Sequence, residues 1–324
     1  MENFSELKIK QYSRLGQRAT LGLALYDIGP KFDDLIVLTS DVSTSAGLQR
    51  FKKKYPEKYL DVGIAEQNLI GVAAGLASEG FRVLTTTFAP FQTMRCCEQI
   101  KVNLGYMSNK VCMVGLASGL ALGPLGFTHC CIEDLSIMRS IPGITVLSPS
   151  DCLETIKAVE AALIHNGPVY IRLTGGSASP QVYKKNYNFK LGEAIELKEG
   201  KDITIFSTGS MVYSSLKVAN LLNEKGIDAS VVNVHTIKPL DKEIIKKKTL
   251  NSKLIVSIEE HNIIGGLGGA IAEYNSTIKN SAEQLIIGVQ DTYGKCGSYD
   301  FMKDKHGLTE EKILKNILNK YNEQ

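Results

Sequence analysis

DVGIAEQNLIGVAAGLA, residues 61–77, is the stretch from which the rest of the chain can be read. One carboxylate, Glu66, stands among apolar and small residues where an extended segment is expected to turn into a helix. Small neighbours let backbones and rings approach closely, and an acid held there is partly desolvated. Desolvation disfavours the charged form of a carboxyl and prepares it to exchange protons near neutral pH. The same residue also fits the first turn of a surface helix, where an acid complements the helix dipole. The surrounding chain has to separate these two possibilities.

Upstream, residues 12–29 carry Leu15, Ala19, Leu23 and Leu25 at near-helical spacing, and DLIVLTSD (34–41) is a short apolar run ending in polar residues. A buried parallel strand delivers side chains to a site at its carboxyl end in this way. Downstream the pattern recurs in RVLTTTF (82–88), KVCMVGLA (110–117), ITVLSPS (144–150) and PVYIRLTGG (168–176). Helical segments are expected between them, at 65–78, 90–104, 132–140 and 151–165. Strands alternating with helices specify an α/β domain with a mainly parallel sheet. After Gly176 the periodicity stops, and SASPQVYKKNYNF (177–189) reads as a linker. A second α/β series follows, with strands expected in DITIFSTG (202–209), DASVVNVH (228–235), KLIVSIEE (253–260) and QLIIGVQD (284–291). Helices are expected at 211–225, 240–249, 265–276 and 308–321. The expected organisation is thus two α/β domains, 1–176 and 190–324, each a mainly parallel sheet flanked by helices.

Bulk properties agree with an ordinary globular protein. Of 324 residues, 44% are hydrophobic and 22% charged, and the net charge is +3 with interspersed signs. Neither nucleic acid nor an anionic membrane is favoured as a partner. The lysine-dense run KEIIKKK (242–248) reads as a solvated helix face. No apolar run approaches the roughly 18 residues of a membrane span, and the start, MENFSELKIK, lacks a signal-peptide pattern. The seven cysteines include the adjacent pairs Cys96, Cys97 and Cys130, Cys131, spacing that suits neither a zinc site nor a disulfide framework. Reduced thiols in a cytoplasmic protein are expected, with no metal site in this chain.

Several features could carry chemistry. Phe88 and Phe91 bracket Pro90 just after a strand and could wall a planar ring, or simply lie in the core. His129, in GFTHCCIED, follows a loop containing Gly115, Gly119, Gly123 and Gly126; it fits an acid/base or hydrogen-bonding role, or a structural one. IIGGLGGAIAE (263–273) opens a helix with four glycines, but its phosphate fingerprint is incomplete and close helix packing is the better account. Glu66, Phe88, Phe91 and His129 each follow an extended segment of one domain, so one sheet edge can gather them all.

DVGIAEQNLIGVAAGLA, TFAPFQTMRCCEQI and GFTHCCIEDLSIMRSIPGITVLSPSD resemble the pyrimidine-binding half of transketolase-like, thiamine-diphosphate enzymes. The second domain resembles that family's C-terminal domain, so the likeness runs through essentially the whole chain. It implies the C-terminal subunit of a two-subunit transketolase, which moves a two-carbon ketol unit from a ketose to an aldose. Family members hold the cofactor's diphosphate through Mg²⁺ with a GDG…N motif, and no GDG occurs here. The resemblance therefore implies a separate N-terminal, diphosphate-binding subunit that holds the Mg²⁺, and a dimer of heterodimers containing a second copy of this chain.

The resemblance also implies roles for single residues. Glu66 hydrogen-bonds the aminopyrimidine and so activates thiamine diphosphate, Phe88 and Phe91 pack on its ring, and Asp41 is a cofactor-adjacent acid. His129 faces the substrate, and Arg18 and Ser45 correspond to contacts with a sugar or sugar-phosphate. There are departures from the family pattern. Ala117 replaces a second histidine, Leu125 an acid and Met94 a tyrosine. A late phosphate-clamping arginine is replaced around Thr174 and Gly175, with Arg172 nearby. Two pyruvate-consuming relatives stay open, the β subunit of a 2-oxoacid dehydrogenase and the deoxyxylulose-phosphate synthase type. F-x-x-F followed by Arg95, Glu98 and Gln99 is closer to transketolase. A non-catalytic scaffold subunit is the remaining alternative.

Overall fold

The computed structural model describes residues 4–176 and 178–323. Ser177, the first residue of the expected linker, and residues 1–3 and 324 of the expected domains lie outside the described residues.

The nine apolar runs form strands as expected, and three further short strands, at 59–61, 195–198 and 236–238, join them. In the first sheet these are β1 (Leu35–Thr39), β2 (Tyr59–Asp61), β3 (Arg82–Phe88), β4 (Val111–Leu116), β5 (Thr145–Leu147) and β6 (Val169–Arg172). In the second half come β7 (Ile195–Lys198), β8 (Ile203–Ser207), β9 (Ala229–Asn233), β10 (Thr236–Lys238), β11 (Leu254–Asn262) and β12 (Glu283–Val289). One sheet has seven strands in the order β10-β5-β6-β4-β3-β1-β2, the other five in the order β12-β11-β8-β9-β7. All pairings are parallel except β10 with β5 and β7 with β9. Near-continuous apolar sequence is what a sheet covered on both faces requires: all six residues of β4 are buried.

Several expectations need correction. The helix expected over 12–29 is two, Glu6–Ser13 and Gly16–Ile28, because Gly16 takes φ 73°, the left-handed conformation that ends a helical run. The helix expected over 90–104 is broken into Ala89–Gln92, Cys97–Gln99 and a wide π-type turn, Ile100–Tyr106. There the Thr93 hydroxyl bonds back to the Ala89 carbonyl at 2.7 Å, and the Cys96 thiol donates to the Phe91 carbonyl at 3.1 Å. The second sheet has an extra, antiparallel edge strand, β7, and a short helix, Tyr299–Lys305, lies beyond the expected set. β10, from the second half of the chain, completes the first sheet. The described part of the linker is pinned by Val182 N and Tyr183 N, both 2.9 Å from Asp151 Oδ2, and by Tyr187, whose hydroxyl lies 2.7 Å from Glu154.

The helix Glu66–Ser78 follows β2 and buries Leu69, Ile70, Ala73 and Ala74 against the sheet, the i, i+3, i+4 pattern of one apolar face. Its opposite face carries Gly71 and Gly75, and a Cβ added at either would meet nothing within 4 Å.

Candidate active site

In the first sheet β2, β1, β3 and β4 lie side by side in parallel, so their carboxyl ends share one edge. That edge delivers Asp41 after β1, Glu66 after β2, Phe88 at the end of β3, and the loop holding His129 after β4.

A carboxylate knots the first two strand ends together. Asp61 Oδ1 accepts from the backbone N–H of Asp41 at 2.9 Å and of Gly63 at 3.0 Å. Its Oδ2 accepts from Thr39 at 3.0 Å and Tyr59 at 3.1 Å. Partial burial works to raise the Asp61 carboxyl, but these four donors outweigh it and hold the group below its ordinary value. Ser40 adds a second tie, donating to Gly63 O at 2.5 Å and accepting from Ala65 N at 3.1 Å. The backbone entering Glu66 is thereby fixed. Asp41 sits in this knot with φ 56° and its side chain exposed.

Glu66 is 4% exposed. Its Oε2 pairs with Arg95 Nη1 at 2.8 Å, and among the described residues no hydrogen bond reaches Oε1. The Arg95 guanidinium also lies over the Phe91 ring, 3.9 Å from its centroid, which couples the carboxylate to an aromatic wall. Phe91 meets Phe88 edge-on, centroids 6.4 Å apart, and His129 packs edge-on against both, at 5.4 Å from Phe91 and 6.3 Å from Phe88. Glu66, Arg95, Phe91, Phe88 and His129 therefore form one continuous group. Arg95 is the member that sequence reasoning used only as part of the family pattern and did not place at the site. Its place four residues after Phe91 was the available signal, hidden because the helix expected there is broken.

The imidazole of His129 is anchored on the adjacent hydroxyl, with Nδ1 2.9 Å from Thr128 Oγ1, and that hydroxyl also lies 3.2 Å from Leu125 O.

Arg18 and Ser45 belong to neighbouring elements rather than to the aromatic group. The helix Gly16–Ile28 lies directly on the loop 42–48, so close that a Cβ at Gly22 would be 2.0 Å from the Gly47 carbonyl oxygen. Burial pulls the half-buried Arg18 guanidinium below its ordinary value, and no ion pair reaches it among the described residues. Arg172 is not at the site. It is 1% exposed on β6, its Nε bonds both Asp134 oxygens at 3.0 and 2.9 Å, and its Nη2 reaches Glu260 O at 2.8 Å. The glycine-rich helix start at 263–273 is occupied by the protein itself. The buried Glu259 carboxylate accepts from Leu267 N at 2.7 Å and Gly268 N at 2.8 Å, and a Cβ at Gly268 would lie 2.5 Å from Ile286. Close packing is the account that holds there. All seven cysteines are free thiols, and no helix among the described residues is long and apolar enough to cross a membrane.

Comparison with known proteins agrees with this architecture along the chain. Residues 14–179 match the family described as transketolase, pyrimidine binding domain, and residues 192–313 match transketolase, C-terminal domain. A putative transketolase C-terminal section from Methanocaldococcus jannaschii is 37% identical, over 94% of this chain and 95% of its own length. A 6-deoxy-6-sulfo-D-fructose transketolase subunit from Clostridium sp. is 40% identical, over 90% of each chain. A solved split-gene transketolase, described as an inactive beta4 tetramer, superposes with a TM-score of 0.86 at 35% identity, covering 94% of this chain and 98% of that one.

Proposed function

Because the chain belongs to the transketolase family, with relatives that are C-terminal sections or subunits of split enzymes, we propose that it is the C-terminal subunit of a two-component transketolase. In this proposal it transfers a two-carbon ketol unit from a ketose to an aldose in the cytoplasm, using thiamine diphosphate. Residues 1–176 form the pyrimidine-binding domain and residues 190–324 the C-terminal domain, joined by the linker 177–189. An N-terminal partner subunit holds the diphosphate and its Mg²⁺, and two such pairs assemble into a dimer of heterodimers. The open glycine face at Gly71 and Gly75 is a surface another chain can approach closely.

The observation that carries the proposal is the buried Glu66 carboxylate, tied by one oxygen to Arg95 at the foot of the Phe91 and Phe88 wall. These residues fit an aminopyrimidine, which needs an aromatic surface for its plane and an acid for its ring nitrogen. When bound, thiamine diphosphate supplies the carbanion chemistry. Glu66 Oε1 holds a proton at the ring nitrogen, while Arg95 keeps the other oxygen fixed relative to Phe91. Phe88 and Phe91 orient the ring and exclude water from it. His129 Nε2 hydrogen-bonds a sugar hydroxyl, with Nδ1 anchored on Thr128. Asp41 stands beside the cofactor, and Arg18 with Ser45 receives the far end of the sugar or sugar-phosphate. With no protein counter-ion among the described residues, the Arg18 guanidinium suits an anionic group.

The chain reconstituted with a partner carrying GDG…N separates the alternatives. Ketol transfer from xylulose 5-phosphate without pyruvate consumption supports a transketolase. Turnover of pyruvate instead points to a 2-oxoacid dehydrogenase β subunit or a deoxyxylulose-phosphate synthase type, and an inert pair points to a scaffold. Calorimetry tests the division of labour, since tight Mg²⁺-dependent binding of thiamine diphosphate by this chain alone contradicts it.

A further inference from the structure

The loop 119–133, which carries His129, is folded largely by the C-terminal half. Leu120, Cys130 and Ile132 are buried in one apolar cluster with Ile205, Val256 and Met302 of that half. The buried Glu260 of β11 accepts from Leu120 N at 2.7 Å and from Tyr299 at 2.5 Å. The segment 293–297 covers the other side. Tyr293 lies on Phe127 with ring centroids 5.0 Å apart, and its hydroxyl donates to Glu133 Oε1 at 3.1 Å. Gly297 N donates to Gly123 O at 3.1 Å. The approach is close: a Cβ at Gly123 would be 2.4 Å from the Gly297 carbonyl oxygen, and one at Gly126 would be 2.4 Å from Cys296 Sγ.

We infer that Tyr293 is a positioning residue for His129, gripping the loop through Phe127 and Glu133 so that the imidazole is held against Phe91 for the sugar. Phe127 is two residues from His129, and its ring packs against both Tyr293, at 5.0 Å, and His306, near-perpendicular at 5.9 Å. Rotation of the loop about this point would carry His129 off the aromatic wall. Tyr293 is 69% exposed, far more than an aromatic kept only for core packing. The clamp touches neither Glu66 nor Phe88, so it acts on the substrate end of the site and leaves the cofactor end alone. The effect on the sugar rests on the ketol-transfer proposal, but the grip on the loop does not.

Two measurements keep these apart. In hydrogen–deuterium exchange, Tyr293→Ala should speed exchange at amides 126–131 and leave 66–78 unchanged; unchanged exchange at 126–131 overturns the clamp, whatever the reaction. In the reconstituted enzyme, Tyr293→Ala should raise KM for the sugar roughly tenfold, with kcat and thiamine diphosphate affinity within about threefold of wild type. Tyr293→Phe keeps the ring on Phe127 and should recover most of the loss. Equal losses in sugar KM and cofactor affinity, or no rescue by Tyr293→Phe, would make the residue merely structural and overturn the assignment. A wild-type pair that transfers no ketol unit refutes the functional proposal, and the exchange result still decides the clamp.

Discussion

Removing Arg95 should cost more stability than removing its partner Glu66, and the two losses should not add. The two side chains differ sharply in exposure, 43% for Arg95 and 5% for Glu66. Breaking a fully buried pair by deleting one partner costs about 3–5 kcal/mol, because a charge is stranded. An exposed pair contributes about 0–1 kcal/mol. With one partner buried and the other nearly half in water, an ion-pair contribution of about 1.5 kcal/mol is reasonable. The guanidinium over Phe91 adds about 0.5–1 kcal/mol. Arg95→Ala therefore loses about 2–2.5 kcal/mol and strands a buried carboxylate. Glu66→Ala loses the ion pair alone, since Arg95 can turn to water and keeps its ring contact. Urea unfolding of the four members of the cycle measures the coupling, expected at about 1.5 kcal/mol, so adding Glu66→Ala to Arg95→Ala costs little more. Additivity within about 0.5 kcal/mol, or a larger loss for Glu66→Ala than for Arg95→Ala, would refute this account of the pair.

Three further outcomes follow from particular contacts. Asp61 is held below its ordinary value, so its contribution to stability is present above about pH 4 and is lost as the pH falls through its lowered folded value. Protection of amides 39–43 and 61–65, taken against the intrinsic rate at each pH, should fall on acidification in the wild type, and Asp61→Asn should show the weaker protection already at pH 7. Gly22→Ala drives a Cβ to within 2.0 Å of the Gly47 backbone oxygen. It should lower the urea midpoint by an amount equivalent to about 2–3 kcal/mol, whereas Gly71→Ala, which meets nothing, should not. Glu260→Gln places an amide among donors from Leu120, Ser210 and Tyr299; a loss of about 2–3 kcal/mol in the same assay is expected, with exchange rising in the loop 119–133.

Much of the fold was legible because local patterning carried it. Each apolar run ending in polar residues became a strand, and parallel order brought the residues after β1 to β4 to one edge. Glu66, Phe88, Phe91 and His129 were legible for that reason. Arg95 was not, because the helix expected over 90–104 is interrupted where Thr93 and Cys96 bond back to the main chain. Arg172 stands near the replaced arginine in sequence, but nothing in a strand-end arginine announces that Asp134, from the start of a distant helix, will consume its guanidinium. The crossing of β10 into the first sheet and the embedding of the His129 loop in the C-terminal half depend on contacts between residues far apart in sequence. Hydrophobic periodicity is blind to these.

In the proposed function, Glu66 activates thiamine diphosphate whose other end a partner subunit holds. The most direct test is turnover by Glu66→Ala in the reconstituted pair at saturating thiamine diphosphate and Mg²⁺, alongside a check that the two chains still associate. Intact assembly is expected, with ketol transfer lowered by about 100-fold or more, the scale of a lost acid/base group. Wild-type turnover by the assembled Glu66→Ala enzyme would contradict that role.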